Sequence, residues 1–266
     1  MSTLTTSLVL ILVGLAMFYP VFFYIIDRKL KRSKATRKYL QFNYLVHLLA
    51  GGISVLLFWV FNVNYPLQIS GIVYLIVITV VVIYYWKSPI SSRNLFAASV
   101  VFGIIIFYRT IKEIVEITPL WPGLLTGVLS AGAISLSIFI FIAIIKKAES
   151  HNLDSPFLWK MIKYLFTIIG ARIAWGILIL FTLSVETQNN EVVSALNFFL
   201  QVDQYKFMFL ITFGLVIPTF FYSIFVKRLK TNESPINWRM FLVFFMSIVL
   251  TDFLYKYFLL QYGIVL

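Results

Sequence analysis

The chain reads as an all-α membrane protein, a polytopic bundle of eight transmembrane helices with both termini outside. Three observations carry that reading. Of 266 residues, 61 % are apolar and only 12 % charged, against about 25 % charged in a soluble domain. Eight apolar stretches have the length needed to cross a ~30 Å hydrocarbon core at 1.5 Å per residue. Finally, 17 of the 22 Lys and Arg lie in or beside alternate connections, the asymmetry that the positive-inside rule describes. No stretch is long and polar enough for a soluble domain, so residues 1–266 form one integral membrane domain.

The spans run in order over 4–27, 39–62, 67–86, 94–110, 120–145, 158–186, 205–226 and 239–262. The first lacks a basic n-region and its apolar run is too long for a signal peptide, so it is expected to be a retained helix. The second contains FNYLVHLLAGG, and the fourth is short. The fifth opens on GLLTGVLSAGAISLS, whose Gly123, Gly127, Ser130, Ala131 and Gly132 suit close helix approach, as do Ala50, Gly51, Gly52 and Ser54 in the second. The seventh carries Pro218, the main candidate for a helix break. PVFFYIIDRKLK (20–31) faintly echoes PTFFYSIFVKRLK (218–230); both are span ends running into basic connections.

The connections fix the orientation. DRKLKRSKATRK (27–38) holds seven basic residues, Lys87 and Arg93 flank the next connection on that side, Lys146, Lys147, Lys160 and Lys163 surround the third, and Lys227, Arg228, Lys230 and Arg239 the fourth. Across the bilayer, 187–203 is read as a loop with no Lys or Arg. The basic side is therefore cytoplasmic, and a bacterial cytoplasmic (inner) membrane is the expected location. The formal charge of +12 is a topology signal, so no nucleic-acid partner is expected. The partner that composition implies is the lipid bilayer, and the basic 27–38 segment suits anionic headgroups.

Several chemistries are excluded. With no cysteine and two histidines there is no disulfide, thiolate site or cysteine nucleophile, and no haem or metal is expected in this chain. Walker A, HExxH, nucleophile-elbow and aspartate-rich diphosphate motifs are all missing, which argues against an ATPase, a metalloprotease and a prenyltransferase.

The residues that stand out are charges where charge is costly. Arg172 lies 12 residues after Lys160 and 14 before Glu186, near mid-bilayer; Asp252 lies 13 residues after Arg239, at matching depth in the last span. Such residues are paired or functional. A salt bridge between them locks helix register on one reading, and forms a proton, ion, anion or quinone-headgroup site on the other. Lys256, four residues beyond Asp252, is a competing partner on the same face. His47, with Asn43 one turn earlier, is either a packing residue or a proton carrier. In FYRTIKEIVEITPLWPG (107–123), Arg109, Lys112, Glu113 and Glu116 stand at helical spacing before Trp121, which fits an interfacial belt. This segment is either a charge-balanced connector or the outer rim of a site.

These pieces together resemble the eight-span membrane anchors of dimethyl sulfoxide reductase and the related NrfD-type polysulfide reductases. The resemblance rests on AGG (50–52), KSPISSR (87–93), Arg109 followed by PLW (119–121), the small-residue helix 123–137 and the Asp252/Lys256 pair. It implies an anchor subunit of a respiratory oxidoreductase that binds menaquinol and docks an iron–sulfur subunit beside a molybdopterin subunit. Its quinone would lie near the outer leaflet between spans four, five and eight, within reach of Arg109, Glu113 or Lys256. The chain departs from that family in lacking its quinol-site histidine and glutamate after span two. Two other classes stand beside the anchor: a secondary transporter or ion or proton channel built on Arg172/Asp252, with a homo-oligomer as its form, and a lipid-active enzyme or scaffold.

Overall fold

A computed structural model describes residues 3–27, 34–61, 63–87, 93–114, 120–150, 155–186, 192–230 and 237–262. They are almost wholly helical. Helices α1 (Thr3–Asp27), α2 (Lys34–Val60), α3 (Tyr65–Lys87), α4 (Arg93–Ile114), α5 (Leu120–Ser150) and α6 (Ser155–Thr182) follow one another, each over one expected span. A hairpin of strands β1 (Ser184–Glu186) and β2 (Val192–Ser194) follows, then α7 (Ala195–Val202), α8 (Gln204–Ile211), a π-helical turn over Thr212–Val216, α9 (Ile217–Lys230) and α10 (Trp238–Tyr262). Among the described residues seven helices are long and apolar enough to cross a membrane: α1, α2, α3, α5, α6, the continuous α8–α9 run and α10. This is a multi-pass membrane protein. The short fourth stretch forms the 22-residue α4, which packs against α1, α3 and α5.

Proline placement explains several helix starts. Pro66, Pro122 and Pro156 fall in the first turns of α3, α5 and α6, where a missing N–H has no intrahelical partner to lose. Pro20 lies inside α1 and leaves the Ala16 carbonyl, four residues back, without its helical donor. The Tyr74 hydroxyl on α3 replaces it, donating to the Ala16 oxygen at 2.7 Å. Pro218 removes the donor for Gly214, and the π turn precedes it, with the Ile217 N–H reaching back to Thr212. The helix widens into a π turn just before Pro218, where the sequence marks a candidate break, and continues as α9 without a gap.

The interior is organised around α1 and α5. Buried residues make up 72 % of the span in each, against 28 % in α6 and in α8–α9. Helix α1 packs on α2, α4, α5 and α10, so the first segment is the bundle's centre. Lipid is as apolar as leucine, so helices associate through close packing. A Cβ on Gly103 of α4 would stand 3.0 Å from the Met17 Cα, and one on Gly14 would stand 2.9 Å from the Ala131 Cβ of α5. The small residues of span five serve that contact.

One region corrects the sequence expectation. Segment 187–203, read as a loop, includes β2 and α7, and β1 pairs antiparallel with β2 through Val185 opposite Val193. Ser194 caps α7, its Oγ accepting from the Asn197 N–H at 3.3 Å, a signal visible in the sequence. Ala195 and Phe199, four apart, bury one face of α7, with the Phe199 ring 4.6 Å from Phe258 on α10. Lys206 donates to Asp203 at 2.8 Å and to the Tyr257 hydroxyl at 2.7 Å, and Tyr262 donates to Asp203 at 2.9 Å. This network closes that end of the bundle.

Candidate functional site

Four elements bring charge together in the interior. α6 supplies Arg172, α10 supplies Thr251, Asp252, Tyr255 and Lys256, α5 supplies Ser130, and the interrupted α8–α9 run supplies Gly214 and Pro218. Arg172, Asp252 and Lys256 are 6 %, 3 % and 8 % exposed. Heptad-like spacing explains the α10 contribution, since Thr251, Asp252, Tyr255 and Lys256 all fall on one buried face.

The pairing differs from the expected salt bridge. Asp252 Oδ2 accepts from Lys256 Nζ, the neighbour one turn away that needs no alignment between helices. Arg172 Nε donates instead to the Ser130 hydroxyl at 3.1 Å, and its guanidinium carbon stands 3.7 Å above the Tyr255 ring. Among the described residues, both terminal nitrogens of Arg172 and the second oxygen of Asp252 are buried with no hydrogen-bond partner. Two cations and one carboxylate leave the cluster with one net positive charge in the bundle's interior. Arginine does not escape that cost by deprotonating, and a ring face offsets only part of it.

A cavity of about 30 Å³ lies against these groups, lined by Ser130, Arg172, Gly214, Pro218, Asp252 and Tyr255 among others. That is room for about two water-sized groups. Gly214 belongs to the π turn, and a Cβ there would stand 3.0 Å from the Thr251 side chain, so the π turn approaches α10 at the level of the charges. Helix interruptions beside intramembrane charge are a recurring way to build ligand sites.

The other candidate residues lie elsewhere. His47 is fully buried on α2, its ring 6.0 Å from Tyr19 and 6.3 Å from Phe23 of α1. Among the described residues neither ring nitrogen has a hydrogen-bond partner of good geometry; the nearby Ala16 carbonyl accepts from Tyr74. Asn43 receives the Tyr19 hydroxyl at 2.8 Å and donates to the Tyr39 carbonyl, tying α1 to α2 beside that histidine.

Arg109 Nη1 donates to Ser70 at 2.7 Å, and Glu113 accepts from Asn64 at 3.3 Å. With Lys112 they rim a groove of about 770 Å³ walled by Phe18, Ile104, Phe107 and Leu124. Glu116 lies outside the described residues. Trp121 is exposed on α5 and meets Trp175 of α6 edge to face at 5.5 Å, away from that groove. Sequence reading missed Tyr255 and the Ser130 hydroxyl as partners of Arg172. The spacing of Tyr255 from Asp252 was the available signal for the first; nothing local in the sequence pairs Ser130 with Arg172.

Comparison with protein-family models, with characterised proteins and with solved structures finds no match to this chain.

Proposed function

We propose that the protein is a secondary transporter or channel that binds an ion or proton at the Arg172–Asp252–Lys256 cluster. The observation that carries this is a buried guanidinium whose two terminal nitrogens no described residue engages, on a side chain that lines a cavity beside the π turn between α8 and α9. A charge that served only helix register would be expected to end in a closed pair with the facing helix. In this reading the chain crosses the membrane eight times, α4 included. Both termini lie outside and the basic connections face the cytoplasm of a bacterium. Asp252 and Lys256 exchange a proton, and Arg172 holds the negative partner. Changing the charge of either group alters the strength with which the other two hold a ligand.

Reconstitution into liposomes with an internal pH dye or chloride reporter tests it. Under an imposed potential, flux above protein-free vesicles is expected, and Arg172→Gln and Asp252→Asn should abolish it. Wild-type vesicles as tight as protein-free ones to both ions would remove the proposal.

A second reading is favoured by the groove at Arg109 and Glu113, which has the size and polarity for a quinone head. The protein would then be the menaquinol-binding anchor of a respiratory oxidoreductase, docking an iron–sulfur subunit. Purification from its native membrane with an iron–sulfur and a molybdopterin subunit, with loss of quinol oxidation in Arg109→Gln, would support that reading over transport.

A further inference from the structure

We propose that the buried cluster takes the carboxylate of a single-tailed amphiphile, which reaches it sideways from the lipid through a groove between α6 and α9. The inference rests on the reading of the cluster as a ligand site and adds the ligand's class and route.

The groove has a volume of about 520 Å³ and opens on the outer surface of the bundle, where Lys163, Thr167, Gly170, Thr219 and Tyr222 are exposed. Nothing lies within 4 Å of the position a Cβ on Gly170 would take, so this glycine leaves the α6 wall open. Ile169, Ile173 and Pro218 line the groove and also line the cavity beside Arg172. Those three residues are the partition between the two. An acid passes from groove to cavity by displacing the Ile169 and Ile173 side chains beside Pro218 and the π turn.

Charge, shape and size then select the ligand. The cluster has one net positive charge, and a monoanion cancels it. Nε of Arg172 is engaged by Ser130 while its two terminal nitrogens are free, which leaves the guanidinium edge that grips a carboxylate with two parallel hydrogen bonds. The cavity of about 30 Å³ holds two water-sized groups, the two oxygens of a carboxylate. A glycerophosphate headgroup has more atoms than it can hold. An apolar tail extends along Phe166 and Phe225 toward Trp159. Lys163 is nine residues before Arg172, about 13 Å along the helix, and stands at the mouth as a first attraction for the acid.

The test uses the full chain in phosphatidylcholine nanodiscs and a mid-chain brominated palmitate, read by quenching of tryptophan fluorescence; Trp159 lines the groove. Saturable quenching above the bilayer partition background is expected for the acid and not for its neutral methyl ester. Arg172→Gln should weaken it by roughly tenfold or more, as loss of a charge-assisted contact does. Gly170→Phe places a ring in open space at the protein surface, so it folds, and it should block binding. Arg172→Lys, which keeps the charge, should retain a fraction of the binding.

Equal quenching by acid and ester, or by brominated phosphatidylglycerol, would overturn the ligand class. Unchanged binding in Gly170→Phe would overturn the route. Ion flux that persists while wild type fails to bind bromopalmitate would remove this inference and leave the transport proposal standing.

Discussion

Removing the three charged side chains one at a time should not cost equal amounts of stability, and the order of the costs reports how the cluster is wired. Asp252 and Lys256 side chains are 4 % and 10 % exposed, so neither is rescued by water when its partner goes. Breaking a buried pair by deleting one member costs about 3–5 kcal/mol. Asp252→Leu incurs that full cost, because it leaves Arg172 and Lys256 as two facing cations. Lys256→Met leaves Asp252 with Arg172, whose two terminal nitrogens are unengaged and available to the freed carboxylate. Its cost should fall to about 1 kcal/mol or less, near the range for a well-compensated surface change. The double variant Asp252→Leu/Lys256→Met removes a neutral pair and leaves only Arg172 uncompensated, as in the wild type, so it should be more stable than Asp252→Leu alone. Thermal unfolding followed by tryptophan fluorescence at one fixed scan rate reads this directly. At about 2–4 °C per kcal/mol for a chain of this size, Asp252→Leu should lower the apparent Tm by roughly 6–20 °C and Lys256→Met by a few degrees. Equal losses in the two single variants would refute the reasoning, because they would mean that Arg172 cannot turn to Asp252.

Three other outcomes follow from the same geometry. Tyr74→Phe should cost about 1–3 kcal/mol by orphaning the Ala16 carbonyl. In a Pro20→Ala background that cost should shrink, since the alanine N–H restores the helical donor; additive losses by thermal unfolding would contradict this. Gly103→Val should destabilise by about 1–3 kcal/mol through overpacking against the Met17 backbone, whereas Gly123→Ala, which meets nothing within 4 Å, should be neutral or stabilising in the same assay. Because the chain has no cysteine, single-cysteine labelling of intact cells needs no prior substitution: Gln201→Cys should react with an impermeant maleimide and Asn237→Cys only after permeabilisation, and the reverse pattern would invert the proposed topology.

Most helices were legible because a helix that must cross lipid announces itself by length and apolar content alone. The expected eight stretches all become helices, with seven meeting the length and apolarity of a span among the described residues. Segment 187–203 was misread because Phe198, Phe199 and Leu200 are too short a run for a span. Of the three only Phe199 is buried, and its burial comes from Phe207 and Phe258 on other helices, which no local pattern reveals. At the cluster, the sequence gives depth along each helix and not the direction a side chain faces. Depth placed Arg172 level with Asp252. Asp252 meets Lys256 within one helix, whereas rotation about the helix axes decided that Arg172 meets Ser130 and Tyr255. Pro218 was visible as a break, but its placement against Thr251 through the π turn at Gly214 required the packed bundle.

The most direct measurement is an experimental density map of the full chain in nanodiscs supplemented with palmitate, inspected at Arg172. Density for a carboxylate against its two terminal nitrogens, with Asp252 still bound to Lys256, is the expected result. A guanidinium closed onto Asp252, with Lys256 turned out of the cluster and the 30 Å³ cavity filled by protein side chains, would contradict it.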